Sequence, residues 1–433
     1  MADRIPLSLI ELPVELVFRI LDNINDITIL CSVRNVCIWL NTIIETYHRY
    51  KILTTLDLYK TAIEDAGATY IANALRYNTT LTVLNIVSNE IGDKGVKCLA
   101  NALRNDTTLI ILNLSENEIQ DEGAMHLAHV LENNSTLITL DLHSNKIGDE
   151  GIHHIAYSLT KNSTLTTLNL YSNQIRDKGA SYLAGALKTN TALATLKLNW
   201  NEIGHEGAHH LADALVKNKT LTRLSLHSNH VRDEGANYFA QALKINKTLT
   251  TLNLASNEID DDGAIYLADG LKNNEVKYNL RGNNIGSHGA QHLAKALINN
   301  KILSIMNLEV NQIRNEGVKY LSDALYENTT LTTLNLSSNE IDDDGALCLA
   351  NALVNNRTLT KLDLIQNQIG DEGAHYFGDA LTKNTTLTTL NIHSNRIGNQ
   401  GANNLADALK NYTALSIFLY DEFFHEAPRD DWY

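Results

Sequence analysis

Residues 205–209, His-Glu-Gly-Ala-His, have the spacing in which two histidines on one helix bind zinc and the glutamate between them acts as a base. The position of this stretch in the internal repeat of the chain argues against that chemistry. His205 stands where neighbouring repeats carry aspartate, and Gly207 aligns with the glycine that joins each loop to its helix. The stretch therefore indicates a loop-to-helix junction, and we predict no metal ligand.

The other residues with reactive side chains also follow the repeat. His126, His154, His210 and His292 share one position, seventeen residues after the start of their repeats, and tyrosine or cysteine fills it elsewhere. A position that accepts His, Tyr or Cys is typical of packing between neighbouring helices. No phosphate-binding glycine loop or pair of catalytic carboxylates stands out from the repeats. We predict no catalytic residue and no cofactor, so the chain is not expected to be an enzyme.

Composition limits the classes of partner. The chain has 433 residues and 44% hydrophobic residues, without any run of the roughly 18 to 20 apolar residues that a membrane helix needs. Its first residues do not resemble a signal peptide, and its four scattered cysteines are typical of a reducing compartment. We expect a cytoplasmic or nuclear protein. A formal charge of −15 without a basic run disfavours nucleic acid and anionic membranes as partners.

A unit of 28 residues repeats about thirteen times between residues 51 and 414. Each unit reads LxxLxLxxNxI, then a short acidic loop, then GAxxLAxALxxN. The first part predicts a short strand followed by an asparagine whose amide bonds the backbone of the next turn. This asparagine recurs from Asn89 to Asn395, with Thr61 at its position in the first unit, and one unit near Glu275 is two residues shorter than the others.

The second part of each unit predicts an amphipathic helix. In the first unit, Ala68, Ile71, Ala72 and Leu75 share the spacing of one helical face. The helices are expected to begin at N-cap aspartates, namely Asp93, Asp149 and Asp371, and to end in left-handed asparagines, namely Asn78, Asn162 and Asn328. No unit can bury its faces alone. The prediction is therefore an α/β solenoid, a horseshoe with an inner parallel β-sheet and outer α-helices.

This repeat pattern closely resembles the ribonuclease-inhibitor class of leucine-rich repeats, which also occurs in nucleotide-binding innate receptors and in Ran GTPase-activating protein. The resemblance covers residues 53 to about 414. It implies the fold and does not select one function. We expect residues 415–433 to form a partial repeat and a C-terminal cap.

Unusual side chains on the strand face mark a candidate interface. The residues four, six and seven after the starting leucine of a unit look into the concave face, and most are Asn, Ser or Asp. The exceptions, with Arg223 beside them, are Tyr59, His143, Tyr171, Lys197, Trp200, His227, Arg281 and Glu309. Aromatic and arginine side chains often anchor protein interfaces, so we predict an acidic or mixed polypeptide ligand here, with Trp200 as its main contact. The alternative is drift at positions without function.

The N-terminal segment, residues 1–50, is outside the repeat pattern. Three apolar stretches at helical spacing lie between residues 9 and 45, and Pro13 suits the first turn of a helix. The wording Leu12-Pro13-x-Glu15-Leu16, then Ile20-Leu21, then a Val-Cys-x-Trp ending at Trp39, resembles an F-box, with Val-Cys one residue closer to Trp than is usual.

The F-box resemblance implies a partner and a role. It implies a small helical domain that contacts a Skp-family adaptor of a cullin-RING ubiquitin ligase, here through Leu12, Pro13, Leu16, Ile20 and Leu21. The repeats would then hold a target protein, and the chain would be a monomer outside that complex. Two other roles stay open: a free-standing ribonuclease-inhibitor-like binding protein whose N-terminal helices only cap the solenoid, and a GTPase-activating regulator.

Overall fold

The computed structural model describes residues 53–271, 274, 276–409 and 415–419. The N-terminal segment and its five predicted adaptor contacts, Leu12, Pro13, Leu16, Ile20 and Leu21, lie outside these residues. Within the described ranges, no helix has the length and apolar character needed to cross a membrane. The chain divides into two compact units, the first ending at Lys197 and the second beginning at Leu198.

The first unit alternates strands and helices. Its elements are β1 (Thr55–Asp57), α1 (Glu64–Leu75), β2 (Val83–Asn85), α2 (Asp93–Leu103), β3 (Ile111–Asn113), α3 (Asp121–Leu131), β4 (Thr139–Asp141), α4 (Asp149–Leu159), β5 (Thr167–Asn169), α5 (Asp177–Leu187) and β6 (Thr195–Lys197). The strands β1 to β6 pair in parallel and in chain order.

The second unit continues the alternation. Its elements are α6 (His205–Lys217), β7 (Arg223–Ser225), α7 (Arg232–Ile245), β8 (Thr251–Asn253), α8 (Asp261–Leu271), β9 (Lys277–Asn279), α9 (Ser287–Asn299), β10 (Ile305–Asn307), α10 (Arg314–Glu327), β11 (Thr333–Asn335), α11 (Asp343–Asn355), β12 (Lys361–Asp363), α12 (Asp371–Leu381), β13 (Thr389–Asn391), α13 (Asn399–Leu409) and β14 (Ser416–Phe418). Its strands β7 to β14 also pair in parallel and in chain order.

The register of the sheets confirms the predicted period. Thr55 pairs with Val83, 28 residues later, as expected for one repeat. Between β8 and β9 the offset falls to 26 residues, because Thr251 pairs with Lys277. The short repeat near Glu275 therefore keeps its strand in register. These parallel strands and their crossover helices confirm the leucine-rich-repeat α/β fold class.

The core lies between strands and helices. In α1 the buried residues include Ala68, Ile71, Ala72 and Leu75, which are the four that the helical spacing predicted. The middle residue of each strand from β1 to β13, such as Leu84 in β2, is also buried. A fully buried leucine side chain contributes about 1.5–3 kcal/mol to folding, so this repeated core supplies most of the stability.

The asparagine position links neighbouring repeats, as predicted. Asn145 Nδ2 donates to the backbone oxygens of Leu114 and Leu142 at 3.0 Å, and its Oδ1 accepts from the Ile119 amide at 3.1 Å. In the first repeat the Thr61 hydroxyl replaces the amide and donates to the Leu58 carbonyl at 3.0 Å. Because these asparagines are buried, each one satisfies backbone groups that water cannot reach.

The predicted role of the loop aspartates is wrong in one respect. Helix α2 begins at Asp93 itself, and the residue before it, Gly92, makes no side-chain cap. Asp93 Oδ1 accepts instead from the amides of Gln120 at 2.7 Å and Gly123 at 2.9 Å, which belong to the start of the next helix. Asp149 and Asp371 cap their following helices in the same way. Each repeat that carries this aspartate therefore caps the helix of the repeat after it.

Four repeats of the second unit lack this aspartate, and in two of them an asparagine, Asn315 or Asn399, stands in its place. In the other two, His205 and Ser287 stand in its place, and the backbone of the following repeat changes. One repeat later, Arg232 and Arg314 adopt left-handed φ angles of 57° and 56°. The glycine amide that an aspartate would bind then bonds the carbonyl four residues earlier, as in Gly235 to Val231 at 3.1 Å.

The predicted left-handed helix exits are also wrong. Asn328 has φ −79° and ψ 133°, which is extended backbone. Its Oδ1 accepts from the amides of Thr330 and Leu331, while its Nδ2 donates to the Leu297 carbonyl. The asparagine therefore turns the chain directly into the next strand.

Candidate protein-binding surface

The strand face is the side of each sheet that points away from the core. Each strand has three residues, and only the outer two, such as Thr55 and Asp57, turn their side chains to this face. Three residues after each strand from β1 to β13, the backbone takes a left-handed φ. We call these positions the strand-end row. It contains Lys60, Ser88, Glu116, Ser144 and Ser172 in the first unit, and Trp200, Ser228, Ser256, Gly282, Val310, Ser338, Gln366 and Ser394 in the second.

In the first unit, two of the predicted interface residues contact each other. The rings of His143 and Tyr171 meet edge to face, with their centroids 5.9 Å apart. His143 Nδ1 lies 2.8 Å from Asp141 Oδ1 on the same strand end. Burial would raise the pKa of Asp141, but the hydrogen bond from His143 and its charge lower that pKa below the usual range. The pair thus presents a polar, aromatic surface held by a carboxylate.

The other predicted residues of the first unit are more separate. Tyr59 is exposed, and the Lys60 ammonium lies 5.0 Å from its ring centroid. Three repeats separate Tyr59 from His143, which is roughly 14 Å at the usual spacing of strands. Lys197, the last residue of β6, is half-buried. The strand face of this unit therefore places Tyr59 apart from the His143 and Tyr171 pair.

Trp200 is an exposed aromatic residue in the strand-end row of the second unit. Its side chain is 55% exposed, and its ring meets His227 edge to face at 6.0 Å between centroids. His227 Nδ1 lies 3.1 Å from the Ala255 carbonyl oxygen, so the imidazole is held against the sheet. Trp200 has a φ of 51°, which is unusual for a bulky side chain.

The strand face of the second unit carries charged residues on several strands, among them the ion pair of Lys361 and Asp363 on β12. Arg281 Nε and Glu309 Oε1 are 3.0 Å apart, and Glu309 Oε2 also accepts from Asn335 Nδ2 at 3.1 Å. Because Glu309 neutralises Arg281, this pair adds no net charge to the surface. Arg223 and Lys277 begin β7 and β9, and both side chains are exposed.

Val310 belongs to this surface and was missed by the sequence analysis. It lies in the strand-end row with a φ of 55°, and its side chain is 41% exposed. A β-branched residue in left-handed backbone is an outlier, as a bulky residue is. The sequence does mark Val310, because it is a valine at a position that is serine in most repeats and it follows Glu309, a predicted interface residue.

The apparent zinc motif lies where the repeat register placed it. His205 is the first residue of α6, and His209 stacks on Tyr238 of the next helix with ring centroids 4.2 Å apart. In the part of the chain that the structure describes, no three His, Cys, Asp or Glu side chains group so as to hold a metal ion.

The described geometry can be compared with known proteins. A family profile described as "Leucine Rich repeat" matches ten segments, which together cover more than half of the chain: 77–100, 105–128, 133–156, 161–184, 189–212, 217–240, 246–268, 327–350, 355–378 and 383–406. A search of curated protein sequences finds no match.

Solved structures with some similarity have low identity. An internalin from Listeria monocytogenes is 21% identical, with 81% of this chain and 88% of that chain covered and a TM-score of 0.49. A chain from the yeast complex of Rad7 and Elc1 is 16% identical, with 93% and 91% covered and a TM-score of 0.48. A leiomodin-1 actin-binding site is 25% identical over 33% of this chain and 87% of that chain, with a TM-score of 0.29. We base no functional inference on likenesses at these TM-scores.

Leucine-rich repeats act as protein-interaction modules and are typically scaffolds without a reaction of their own. The strand, asparagine and helix positions described above are those of such a repeat, and the profile matches agree with them. This chain belongs to the leucine-rich repeat family.

Proposed function

We propose that the chain is the substrate-recognition receptor of a Skp-cullin-F-box ubiquitin ligase. In this proposal the N-terminal segment contacts the Skp-family adaptor, and the strand face of the repeats holds the target protein. The wording from Leu12 to Trp39 supports the first part by its resemblance to an F-box. The exposed indole of Trp200, in backbone that disfavours it, is the observation that carries the second part.

The strand face supports target binding because its exceptional residues do not serve the core. His143 and Tyr171 in the first unit, and Trp200 in the second, place aromatic rings on a surface of short polar side chains. Aromatic residues at an exposed position provide large contact area with little loss of flexibility on binding. The proposal assigns no reaction to the chain itself.

Co-purification of the full chain with a Skp-family adaptor tests the first part. The double variant Leu16→Asp/Ile20→Asp should lose the adaptor, because it puts charges at two positions of the proposed contact, where they would have to be desolvated. A matched control is Ile245→Asp, which changes an exposed apolar residue at the end of α7. It should keep the adaptor.

The outcomes separate the proposal from its main alternative. If the unaltered chain does not bind the adaptor, the N-terminal segment is only a cap, and a free-standing binding protein of ribonuclease-inhibitor type is the better description. If Leu16→Asp/Ile20→Asp and Ile245→Asp lose the adaptor equally, the residues of the F-box-like segment do not make the contact.

A further inference from the structure

Four neighbouring strands of the second unit end in polar side chains that lie side by side on the strand face. They are Ser225 on β7, Asn253 on β8, Asn279 on β9 and Asn307 on β10, and the pairing of the strands keeps them in register. We call these four residues the polar row. All four are buried, although they lie on the face that points away from the core. Each of their polar groups therefore needs a hydrogen-bond partner other than bulk water.

Each asparagine of the polar row is held in one orientation. Its Oδ1 accepts from the backbone amide two residues later, at 3.0 Å for Asn253, 3.2 Å for Asn279 and 2.9 Å for Asn307. The Nδ2 group at the other end of the side-chain amide can only donate. The row therefore holds three hydrogen-bond donors that repeat at the strand spacing of about 4.8 Å.

At the same strand position elsewhere, an acidic side chain accepts from the asparagine. The donor lies one repeat after the acceptor, and the pairs are Asn85 with Asp57, Asn169 with Asp141 and Asn391 with Asp363. In the polar row, the residue one repeat before each asparagine is Ser225, Asn253 or Asn279. The row therefore lacks the carboxylates that satisfy these donors in other repeats.

Two buried atoms of the polar row have no hydrogen-bond partner in the described part of the chain. They are Nδ2 of Asn307 and Oγ of Ser225, and their residues are 0% and 2% exposed. Such atoms are uncommon in folded proteins, and leaving one unpaired lowers stability. Because the surrounding residues offer these groups no partner, they indicate a ligand that brings the missing acceptors.

The spacing of the polar row favours a helical ligand over an extended one. Two strand spacings separate Asn253 from Asn307, which is roughly 10 Å. On a helix that lies across the strands, side chains at i, i+4 and i+7 share one face, and the first and last are about 10.5 Å apart along the axis. An extended chain repeats the side chains of one face about every 6.6 Å, which does not match the row.

The charges near the polar row do not select a charged ligand. Arg281 and Glu309, two residues after Asn279 and Asn307, form an ion pair. Lys277 and Glu258 are exposed on either side of the row and have opposite signs. A carboxylate brought onto the buried row would lose its hydration, whereas an amide carbonyl accepts the same hydrogen bonds without a charge. Glutamine is therefore the side chain that suits the row.

We propose that the polar row binds a helix of a partner protein through glutamine side chains at positions i, i+4 and i+7 of that helix. Each glutamine carbonyl accepts from one Nδ2 of Asn253, Asn279 or Asn307, and long side chains beside the row, such as Lys277, move aside on binding. The inference rests on the part of the proposed function that places a target protein on the strand face. It does not depend on the adaptor.

Helical peptides test this inference with the full chain. Three fluorescein-labelled, alanine-rich probes are compared by anisotropy: one with glutamines at i, i+4 and i+7, one of the same composition with glutamines at i, i+2 and i+5, and one with glutamates in place of the glutamines of the first. Circular dichroism checks that all three are helical. The first probe should bind about tenfold or more tightly than either of the others, because only it aligns three uncharged acceptors with the row.

Asn279→Asp supplies the missing carboxylate and separates binding from folding. The new carboxylate should accept from Asn307 Nδ2, as Asp57 accepts from Asn85. The urea midpoint should therefore rise, while binding of the first probe weakens about tenfold, because one donor of the row is already paired. A loss of binding in a more stable variant cannot result from unfolding.

Two further variants locate the binding to the polar row. Asn307→Leu removes one donor and should weaken binding of the first probe about tenfold. Asn85→Leu is the matched control, because it removes the equivalent amide on β2, which already donates to Asp57 at 2.9 Å. It should bind the probe as the unaltered chain does.

Any of three results would overturn the inference: no preference for the aligned over the scattered glutamine probe, tighter binding of the glutamate probe, or unchanged binding in both Asn279→Asp and Asn307→Leu. Adaptor co-purification of Asn279→Asp, measured in parallel, keeps this failure distinct from that of the ligase proposal. If the adaptor still binds and the probes do not discriminate, only the polar row is excluded as the target site.

Discussion

At two sets of repeated positions the usual residue is sometimes replaced, and the backbone changes at one set but not at the other. In the loops, the aspartate that caps the next helix is replaced by His205 and Ser287, and the backbone one repeat later changes to left-handed at Arg232 and Arg314. In the strand-end row, serine is replaced by Trp200, and the left-handed backbone stays as it is.

The difference separates residues that serve the fold from residues that serve a partner. Where the aspartate is missing, the glycine amide finds a new acceptor, so no buried group stays unpaired. Where Trp200 or Val310 occupies the row, no rearrangement relieves the side chain, which stays exposed in unfavourable backbone. An exception that the fold compensates has a structural explanation. One that the fold only tolerates points to function.

The largest effect is expected at the asparagine position, where one side chain bonds several buried backbone groups of two repeats. Asn145→Ala removes donors to the Leu114 and Leu142 carbonyls and the acceptor for the Ile119 amide. Leaving these buried groups unpaired should lower the free energy of unfolding by about 3 kcal/mol. Urea denaturation measures the change. Asn133→Ala, at an exposed asparagine, is the control and should stay within about 0.5 kcal/mol of the unaltered chain. A similar loss of stability in both variants would contradict the structural role of the buried amide.

A smaller effect is expected at the capping aspartate. Asp121 Oδ1 accepts from the amides of Gly148 at 2.7 Å and Gly151 at 2.9 Å, so Asp121→Ala should cost about 1–2 kcal/mol. His205→Ala should change the free energy of unfolding by less than about 0.5 kcal/mol, because Gly235 bonds Val231 instead. Equal losses in the two variants would show that the histidine also caps the following helix.

The weakest effect in the loops is a dependence on pH. Burial, together with the neighbouring Asp260 carboxyl, raises the pKa of Asp233 to about 6. Because the folded chain holds this proton more tightly than the unfolded chain, the contribution of Asp233 to stability should fall as pH rises from about 4 to about 7. Asp233→Asn should remove that part of the pH profile of the urea midpoint.

An asparagine already replaces the loop aspartate in one repeat of the chain. Asn315 occupies the position equivalent to Asp233, and its Oδ1 accepts from the Asp342 amide at 3.1 Å, so an amide oxygen can make this bond. The reverse change, Asn315→Asp, should introduce a pH dependence of the same sign beside Asp342. Identical pH profiles for the unaltered chain and Asp233→Asn would contradict the raised pKa.

Much of the fold followed from the sequence because the repeat makes each position visible many times. The period, the strand register, the buried helix face at Ile71 and the inter-repeat asparagine were all predicted and are confirmed. The short unit near Glu275 was also predicted, and Lys277 keeps its register.

The errors came from contacts that cross repeats. The N-cap rule concerns a residue and its own helix, so it assigned Asp93 to α2, although the carboxylate caps α3. The Arg281 and Glu309 ion pair joins residues 28 apart, a register that could have been searched for opposite charges. The sign of φ at Val310 has no marker in a single valine, and only the serines at equivalent positions hint at it.

The most direct test of the central claim combines stability and binding in one variant, Trp200→Ser/Val310→Ser. Both side chains are exposed, and serine is the usual residue of this row, so the free energy of unfolding should change by less than about 1 kcal/mol. Capture of target proteins by the full chain, measured by co-purification, should be lost, while the Skp-family adaptor should stay bound. A variant that is destabilised by about 3 kcal/mol, or that still captures the same targets, would contradict the claim that these two residues serve a partner and not the fold.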